Sequence, residues 1–209
     1  MNTKMDIVVF GCQMKMYAKL KELFEREGVI RVAEARSVGV SRAMLSHWVA
    51  RGMLQRVAQG MYAPAEELPD ELLVLAGRSD RIVFSHETAL VLHGLHNRIP
   101  AVPTFTIPTG LRMPRSLEGR AVGYHVRREW HGIGRGVARS FLGHEVPCYD
   151  PERTICDVIR SRGRLDAETY TGALRRYAAW PGRNLPRLFR YAKEMDMEER
   201  VHGVMEVLA

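Results

Sequence analysis

Residues 32–65 read VAEARSVGVSRAMLSHWVARGMLQRVAQGMYAPA, and this stretch decides the fold of the amino-terminal third. A short helix from Arg31 to Val38 ends at Gly39, and Ser41 is a natural N-cap for a second helix that runs to about Arg51 and stops at Gly52. Leu54 to Val57, a Gln59-Gly60 turn and Met61 to Ala63 then read as a hairpin. Helix, glycine turn, helix and basic hairpin is the layout of a winged helix-turn-helix, whose second helix enters the DNA major groove. Turning about 100° per residue from Leu45 puts Trp48 and Val49 beside it on the buried face. Ala43, Ser46, His47 and Arg51 then face outward, with Arg42 near the helix start. Small and hydrogen-bonding side chains let a helix approach the groove closely, and Arg42 and Arg51 can meet phosphates or guanine edges. Gln59 forms the wing tip with Gly60, Arg56 stands at the wing's base and Tyr62 lies on its return strand. The expected DNA-contacting set is therefore Ser41, Arg42, Ala43, Ser46, His47, Arg51, Arg56, Gln59 and Tyr62.

Upstream, Met16, Leu20, Leu23 and Phe24 recur at three and four, which predicts an amphipathic helix from Met14 to about Glu27. The first thirteen residues, MNTKMDIVVFGCQ, show no helical period and leave open a short extra strand or an upstream start codon ahead of Met14 or Met16. Downstream, Pro64 and Pro69 bracket a polar AEEL linker. The winged helix is thus expected over 14–66 and a second domain over 70–209. In that domain Leu72 to Ala76 predicts a short helix, Arg81 to Phe84 a buried strand, and Ser85 the cap of a helix to about Leu95. Strands are expected at 104–107, 121–127, 137–142 and 145–149. Helices follow from Asp150 or Pro151 to Ser161, and at about 166–179, 184–194 and 197–208. The fold class is α+β: an amino-terminal winged helix-turn-helix, then a larger mixed α/β domain with a helical carboxy-terminal part.

Composition narrows the function classes. The chain has 209 residues, 46% hydrophobic and 26% charged, which excludes disorder, a collagen-like repeat and a coiled-coil rod. Ile7-Val8-Val9-Phe10 falls far short of the roughly 20 residues of a membrane helix, and no leader pattern follows it, so a cytoplasmic protein without a membrane partner is expected. Lys and Arg exceed Asp and Glu by 31 to 24, a balance that suits a phosphate-rich partner. Residues 1–66 carry ten of the cations and six of the anions, so +4 of the +7 lies in under a third of the chain. Cys12, Cys148 and Cys156 form no C-x-x-C pair and read as reduced thiols, Cys156 as a small core residue.

Two blocks in the second domain carry a family resemblance. SHETALVLHGL (Ser85 to Leu95) resembles the S-x-x-x-A-L-x-x-x-G-L stretch of AbiEi-type antitoxins, and YDPERTICDVIR (Tyr149 to Arg160) resembles their E-R-T-x-x-D-x-x-R helix. The order of winged helix, Gly-x-Tyr return strand, linker, the two blocks and terminal helices also agrees, over about residues 16–200. The resemblance implies a transcriptional regulator and antitoxin of a type IV toxin–antitoxin pair linked to abortive phage infection. It further implies binding of double-stranded DNA at repeats in its own promoter, and a nucleotidyltransferase-like toxin countered without a stable complex. Read from the residues alone, both blocks are mostly structural: Ala89, Leu90, Leu92 and Leu95 pack a helix, Gly94 ends it, and Arg153 and Asp157 meet one turn apart beside Glu152.

No enzyme, cofactor or metal site is expected. His86 and His93 share a helix face with His96 nearby, but lie about 10 Å apart along the axis, too far for one metal. Gly132, Gly134 and Gly136 in HGIGRGVAR lack the following G-K-[ST] and read as a strand-connecting loop. A winged helix fused to a nuclease would need clustered carboxylates with a lysine, and the strands offer no such arrangement. A ligand-responsive repressor without a toxin partner is the other alternative. Arg112, Arg115, Arg120, Arg127 and Arg128 could line an anion or RNA site, or form a solvated basic surface.

Overall fold

The computed structural model describes residues 3–208, with side chains from residue 14 onward. The chain divides into two compact units, residues 1–78 and 79–209.

The first unit begins with α1 (Thr3–Glu27), which is eleven residues longer at its amino end than the apolar spacing predicts. The backbone of 3–13 is helical and not a strand; extending an existing helix adds one hydrogen bond per residue and avoids the cost of a new nucleus, so no apolar period is required. β1 (Ile30–Arg31) follows, then α2 (Val32–Ser37), α3 (Arg42–Ala50), β2 (Leu54–Ala58) and β3 (Met61–Pro64). β1 occupies the start of what the sequence presents as a helix. Two residues carry no period, and this strand exists only through antiparallel pairing of Ile30 with Tyr62 and Arg31 with Met61. The sheet order β1-β3-β2 makes the wing's return strand the central one. Leu20, Ile30, Ala35, Val40 and Leu45 are wholly buried, and with Phe24, Trp48, Leu54 and Tyr62 they form one core. Tyr17 meets Trp48 edge-on at 5.2 Å between ring centroids.

α4 (Glu71–Ala76) closes the first unit, so the division falls after Arg78 and not in the Pro64–Pro69 linker. Asp70 caps α4, its Oδ1 accepting from the N–H groups of Leu72 and Leu73 at 3.0 and 3.3 Å. Leu73 and Val74 pack on Val29, Met61 and Ala63, which ties the helix to the back of the wing strands.

The second unit comprises β4 (Val83–Phe84), α5 (His86–Leu92), β5 (Thr104–Pro108), β6 (Val122–Val126), β7 (Arg135–Arg139), β8 (Glu145–Tyr149), α6 (Pro151–Arg160), α7 (Ala167–Ala179), α8 (Leu185–Glu194) and α9 (Glu198–Leu208). Its mixed sheet has the order β6-β5-β4-β8-β7, with β5–β6 and β4–β8 parallel and the other neighbours antiparallel. Residues 152–159 of α6 are all buried, and its apolar members join those of α7, α8 and α9 in the main core.

The polar members of α6 are tolerated in the interior because most of their polar atoms are paired; Arg153 Nη2 and Arg160 Nε are buried without a hydrogen-bond partner. Arg153 is wholly buried: its Nε donates to Asp157 Oδ2 at 3.1 Å, its Nη1 donates to the carbonyls of Trp130 and Ile133, and its guanidinium lies 4.2 Å over the Tyr149 ring. Arg160 Nη2 donates to the other oxygen of Asp157 at 3.0 Å. Glu152 Oε1 accepts from the Asn184 N–H at 2.9 Å and from the Tyr177 hydroxyl at 3.3 Å, which anchors the start of α8. The glycine-rich loop is part of this network. Gly134 has φ +67, and a Cβ there would collide with Arg153 Cβ, so the loop backbone lies directly on the arginine stem.

His86 is a second buried polar group. Its ring stacks on Tyr124 at 3.4 Å, with Nδ1 2.9 Å from Ser85 Oγ and Nε2 3.0 Å from Ser161 Oγ. Ser85 stands at the N-cap of α5, yet its hydroxyl does not cap the helix: it accepts from Thr106 Oγ1 at 2.8 Å. The capping acceptor comes from the neighbouring strand, where Thr104 Oγ1 takes the Thr88 N–H at 3.0 Å. Gly94, at φ +69, ends the helical segment as its position suggests.

Two consequences are measurable. Asp157→Ala leaves a buried guanidinium without its carboxylate and should cost about 3–5 kcal/mol. Urea unfolding followed by hydrogen exchange in peptides covering 146–160 reads that loss. Burial lowers the His86 pKa to about 3, with Asp157 opposing and Arg160, Arg164 and Arg153 assisting. The unfolded chain therefore binds more protons than the folded one between about pH 6.5 and 3, and stability is greatest above that window and falls as pH drops through it. The slope of melting temperature against pH should be shallower in His86→Gln.

Candidate nucleic-acid interface

The helix-turn-helix is built by local hydrogen bonds around one glycine. Gly39, at φ +88, lets the chain reverse after α2, with its N–H donating to Arg36 C=O at 3.0 Å and the Val40 N–H to Ala35 C=O at 2.9 Å. Ser41 Oγ then accepts the Met44 N–H at 3.2 Å and starts α3. The wing is joined to the same unit: Gly60 C=O accepts from the Val32 N–H at 3.1 Å, so the tip of the hairpin is fixed to the first turn of α2. A register shift between Arg56 and Ala58 bulges Val57, and the turn itself is Gln59-Gly60 with Gly60 at φ +71.

α3 buries Leu45 and Trp48 and leaves Arg42, Ala43, Ser46, His47 and Ala50 exposed, with Arg51 exposed just past its end. The sequence-derived outward face is thus the solvent face of the helix, with Ala50 an addition that the same helical wheel contains. Ser41 is exposed, but its hydroxyl is committed to capping. Arg56 and Gln59 are exposed on the wing, and Arg56 Nε makes one long contact, 3.4 Å, with Ala58 C=O. Among the described residues no carboxylate forms an ion pair with Arg42, Arg51 or Arg56.

Tyr62 is placed differently from the sequence expectation. It is 4% exposed, because its side chain lies on the sheet face that packs into the core with Leu20, Phe24, Trp48 and Leu54 and not on the outer face of the wing. Charge is also distributed differently. Up to Arg78 the first unit holds eleven Lys and Arg against nine Asp and Glu, since Glu67, Asp70 and Glu71 belong to it; the second unit holds twenty against fifteen. Basic character at α3 and the wing is therefore a property of one face, not of the unit. In the second unit Arg112, Arg115, Arg120, Arg127 and Arg128 are all exposed, and Arg127 is paired with Asp196 at 3.1 Å. Among the described residues no group of three or more His, Cys, Asp or Glu is placed to hold a metal ion, and no helix is long and apolar enough to cross a membrane.

Residues 18–65 match the family described as transcriptional regulator, AbiEi antitoxin. This winged-helix segment is similar to the AbiEi antitoxin family of transcriptional regulators. The match runs from α1 to the end of β3 and so takes in α3 and the wing, giving the AbiEi segment a DNA-binding regulatory role. The fold is similar to that in the crystal structure of the RV2827C protein from Mycobacterium tuberculosis, with a TM-score of 0.58 and 15% identity over 85% of this chain and 75% of that one. No curated protein matches the chain.

Two substitutions separate fold from contact in the AbiEi segment. Ser41→Ala should lower stability by about 1 kcal/mol through loss of the cap. Tyr62→Phe, buried, should leave DNA affinity within twofold of wild type in a filter-binding titration.

Proposed function

We propose that the chain represses its own promoter by binding repeated sites in double-stranded DNA, and that it is the antitoxin to a nucleotidyltransferase-like toxin countered without a stable complex. The observation that carries the first half is the solvent face of α3. Arg42, Ala43, Ser46, His47 and Arg51 lie together over a buried Leu45 and Trp48, beside the exposed Arg56 and Gln59 of the wing. In this reading small residues at the centre allow close approach to the groove floor, arginines at both ends meet phosphates or guanine edges, and the anchored wing follows the adjacent backbone. The second half rests on the family match at 18–65 and on the conformity of Ser85 to Leu95 and Tyr149 to Arg160 to the family's blocks. Both blocks are occupied with internal packing, so the second unit acts through its surface, as a non-enzymatic cytoplasmic regulator.

One observation favours a second reading, a ligand-responsive repressor. A hollow of about 270 Å³ in the second unit is lined by Ala178, Arg183, Leu185, Phe189, His202 and Met205. It combines an apolar floor with a guanidinium, an imidazole and the Glu206 carboxylate, and a metabolite that raised the melting temperature while weakening operator binding would move the assignment to it.

The primary test is a gel-shift titration on the gene's own upstream DNA against a scrambled fragment at two salt concentrations. Binding confined to the upstream fragment and weakening with salt is expected. Arg42→Ala should cost about 1–3 kcal/mol of operator affinity. Equal, weak binding to both fragments would remove the promoter reading, and an unchanged Arg42→Ala would remove that residue from the interface.

A further inference from the structure

The outer strand of the second unit's sheet carries backbone groups that no neighbouring strand uses. β7 pairs with β8 on one side and ends the strand order, with no strand on its other side among the described residues. Two hydrogen bonds fix the phase of the β7–β8 ladder: the Asp150 N–H donates to Gly134 C=O, and the Ser140 N–H to His144 C=O, both at 2.8 Å. Bonded pairs alternate in an antiparallel ladder, so Gly136/Cys148 and Ala138/Val146 are the bonded pairs between those ends. Val137 stands opposite Pro147, which has no N–H to give, in keeping with this phase. The N–H and C=O groups of Val137 and Arg139 and the C=O of Arg135 therefore point to the open edge, while the Arg135 N–H donates to Gly132 C=O at 3.3 Å.

The side chains of those three residues share one face of the strand, and all are exposed, Val137 at 63%. Phe141 and Leu142, each 53% exposed, extend the apolar surface at the hairpin tip. Both guanidiniums are steadied by backbone carbonyls, Arg135 Nη2 by Asp80 at 2.7 Å and Arg139 Nη1 by Gly143 at 3.5 Å. Glu145 faces Arg139 across the ladder without forming an ion pair with it.

An exposed edge of this kind templates another strand, and charge decides which. If two copies paired antiparallel about Val137, each Arg135 would face an Arg139, and like charges directly opposite are destabilising. A strand with acid, apolar and acid at alternate positions instead puts a carboxylate against each guanidinium and an apolar side chain against Val137. We propose that β7 is a strand-addition site for an extended segment of a partner protein carrying Glu or Asp two residues either side of a β-branched residue. This proposal is independent of DNA binding by the first unit.

The test uses the full chain and a fluorescein-labelled peptide, SGTETVTETGS, with SGTKTVTKTGS as control, followed by fluorescence anisotropy. Saturable binding of the acidic peptide is expected, with the lysine peptide at least about tenfold weaker. Val137→Pro should weaken binding by about tenfold or more while keeping the fold, because the N–H it removes makes no ladder bond. The double variant Arg135→Glu, Arg139→Glu should reverse the preference and bind the lysine peptide; it decides the matter if the proline variant fails to fold. Absence of saturable binding up to about 1 mM, equal binding of both peptides, or a dimer in sedimentation that Val137→Pro dissolves would each overturn the proposal.

Discussion

Arg153 is the residue around which the second unit is assembled. A guanidinium with no exposed surface needs compensation, and here Nε reaches a carboxylate one turn away, Nη1 reaches two carbonyls of the loop before β7, and the group lies over the Tyr149 ring, with Nη2 alone left without a hydrogen-bond partner. Those bonds set the position of the loop, and through it the start of β7, against α6. The adjacent Glu152 does the same for the start of α8. α6 segregates its polar and apolar residues to different faces, yet it is buried along eight consecutive residues, so its polar positions are internal fasteners and not a solvent face. The helix of the E-R-T-x-x-D-x-x-R pattern, structural by its residues, is thus structural in three dimensions too.

The recognition module follows a different logic. Its core is conventional, and what distinguishes it is how its parts are joined. The Val32–Gly60 bond and the pairing of β1 with β3 make helix-turn-helix and wing a single piece, so the exposed side chains of α3 and the wing are held in a fixed mutual arrangement before any ligand is met. Pre-set geometry of this kind lowers the ordering cost of binding. The acidic residues around α4 dilute the unit's net charge without occupying that face by ion pairing.

Much of this was legible in the sequence, and the exceptions have common causes. α3, the wing hairpin, β5, β8 and the four carboxy-terminal helices carry caps, glycine stops or alternation that lie within a few residues of the element they specify. Leu45 and Trp48 are buried, and Arg42, Ser46 and His47 exposed, because a helical wheel needs only local geometry. What was not legible depends on distant partners. β1 is defined by a strand some thirty residues later. Tyr62 is in the wing by sequence, but its side chain lies on the face covered by Leu20, Phe24 and Trp48 from the helices. α4 looks like the start of the second domain until Met61 and Ala63 are seen beneath it. Gly134 reads in sequence only as part of a strand-connecting loop, whereas its lack of a side chain makes room for the arginine stem.

The borrowed cap of α5 has a consequence for how the second unit comes together. A seven-residue helix whose first turn is completed by a threonine sixteen positions further on cannot persist as a local structure. It exists only once β5 has aligned with β4, and β4 in turn lies between β5 and β8. Formation of this helix is thus a reporter of long-range sheet assembly, and proteolytic nicking between residues 93 and 103 would disconnect the helix from the strand that supplies its cap. The unit gains cooperativity from that dependence: the segment that resembles an independent motif in the sequence has no stable existence apart from the sheet.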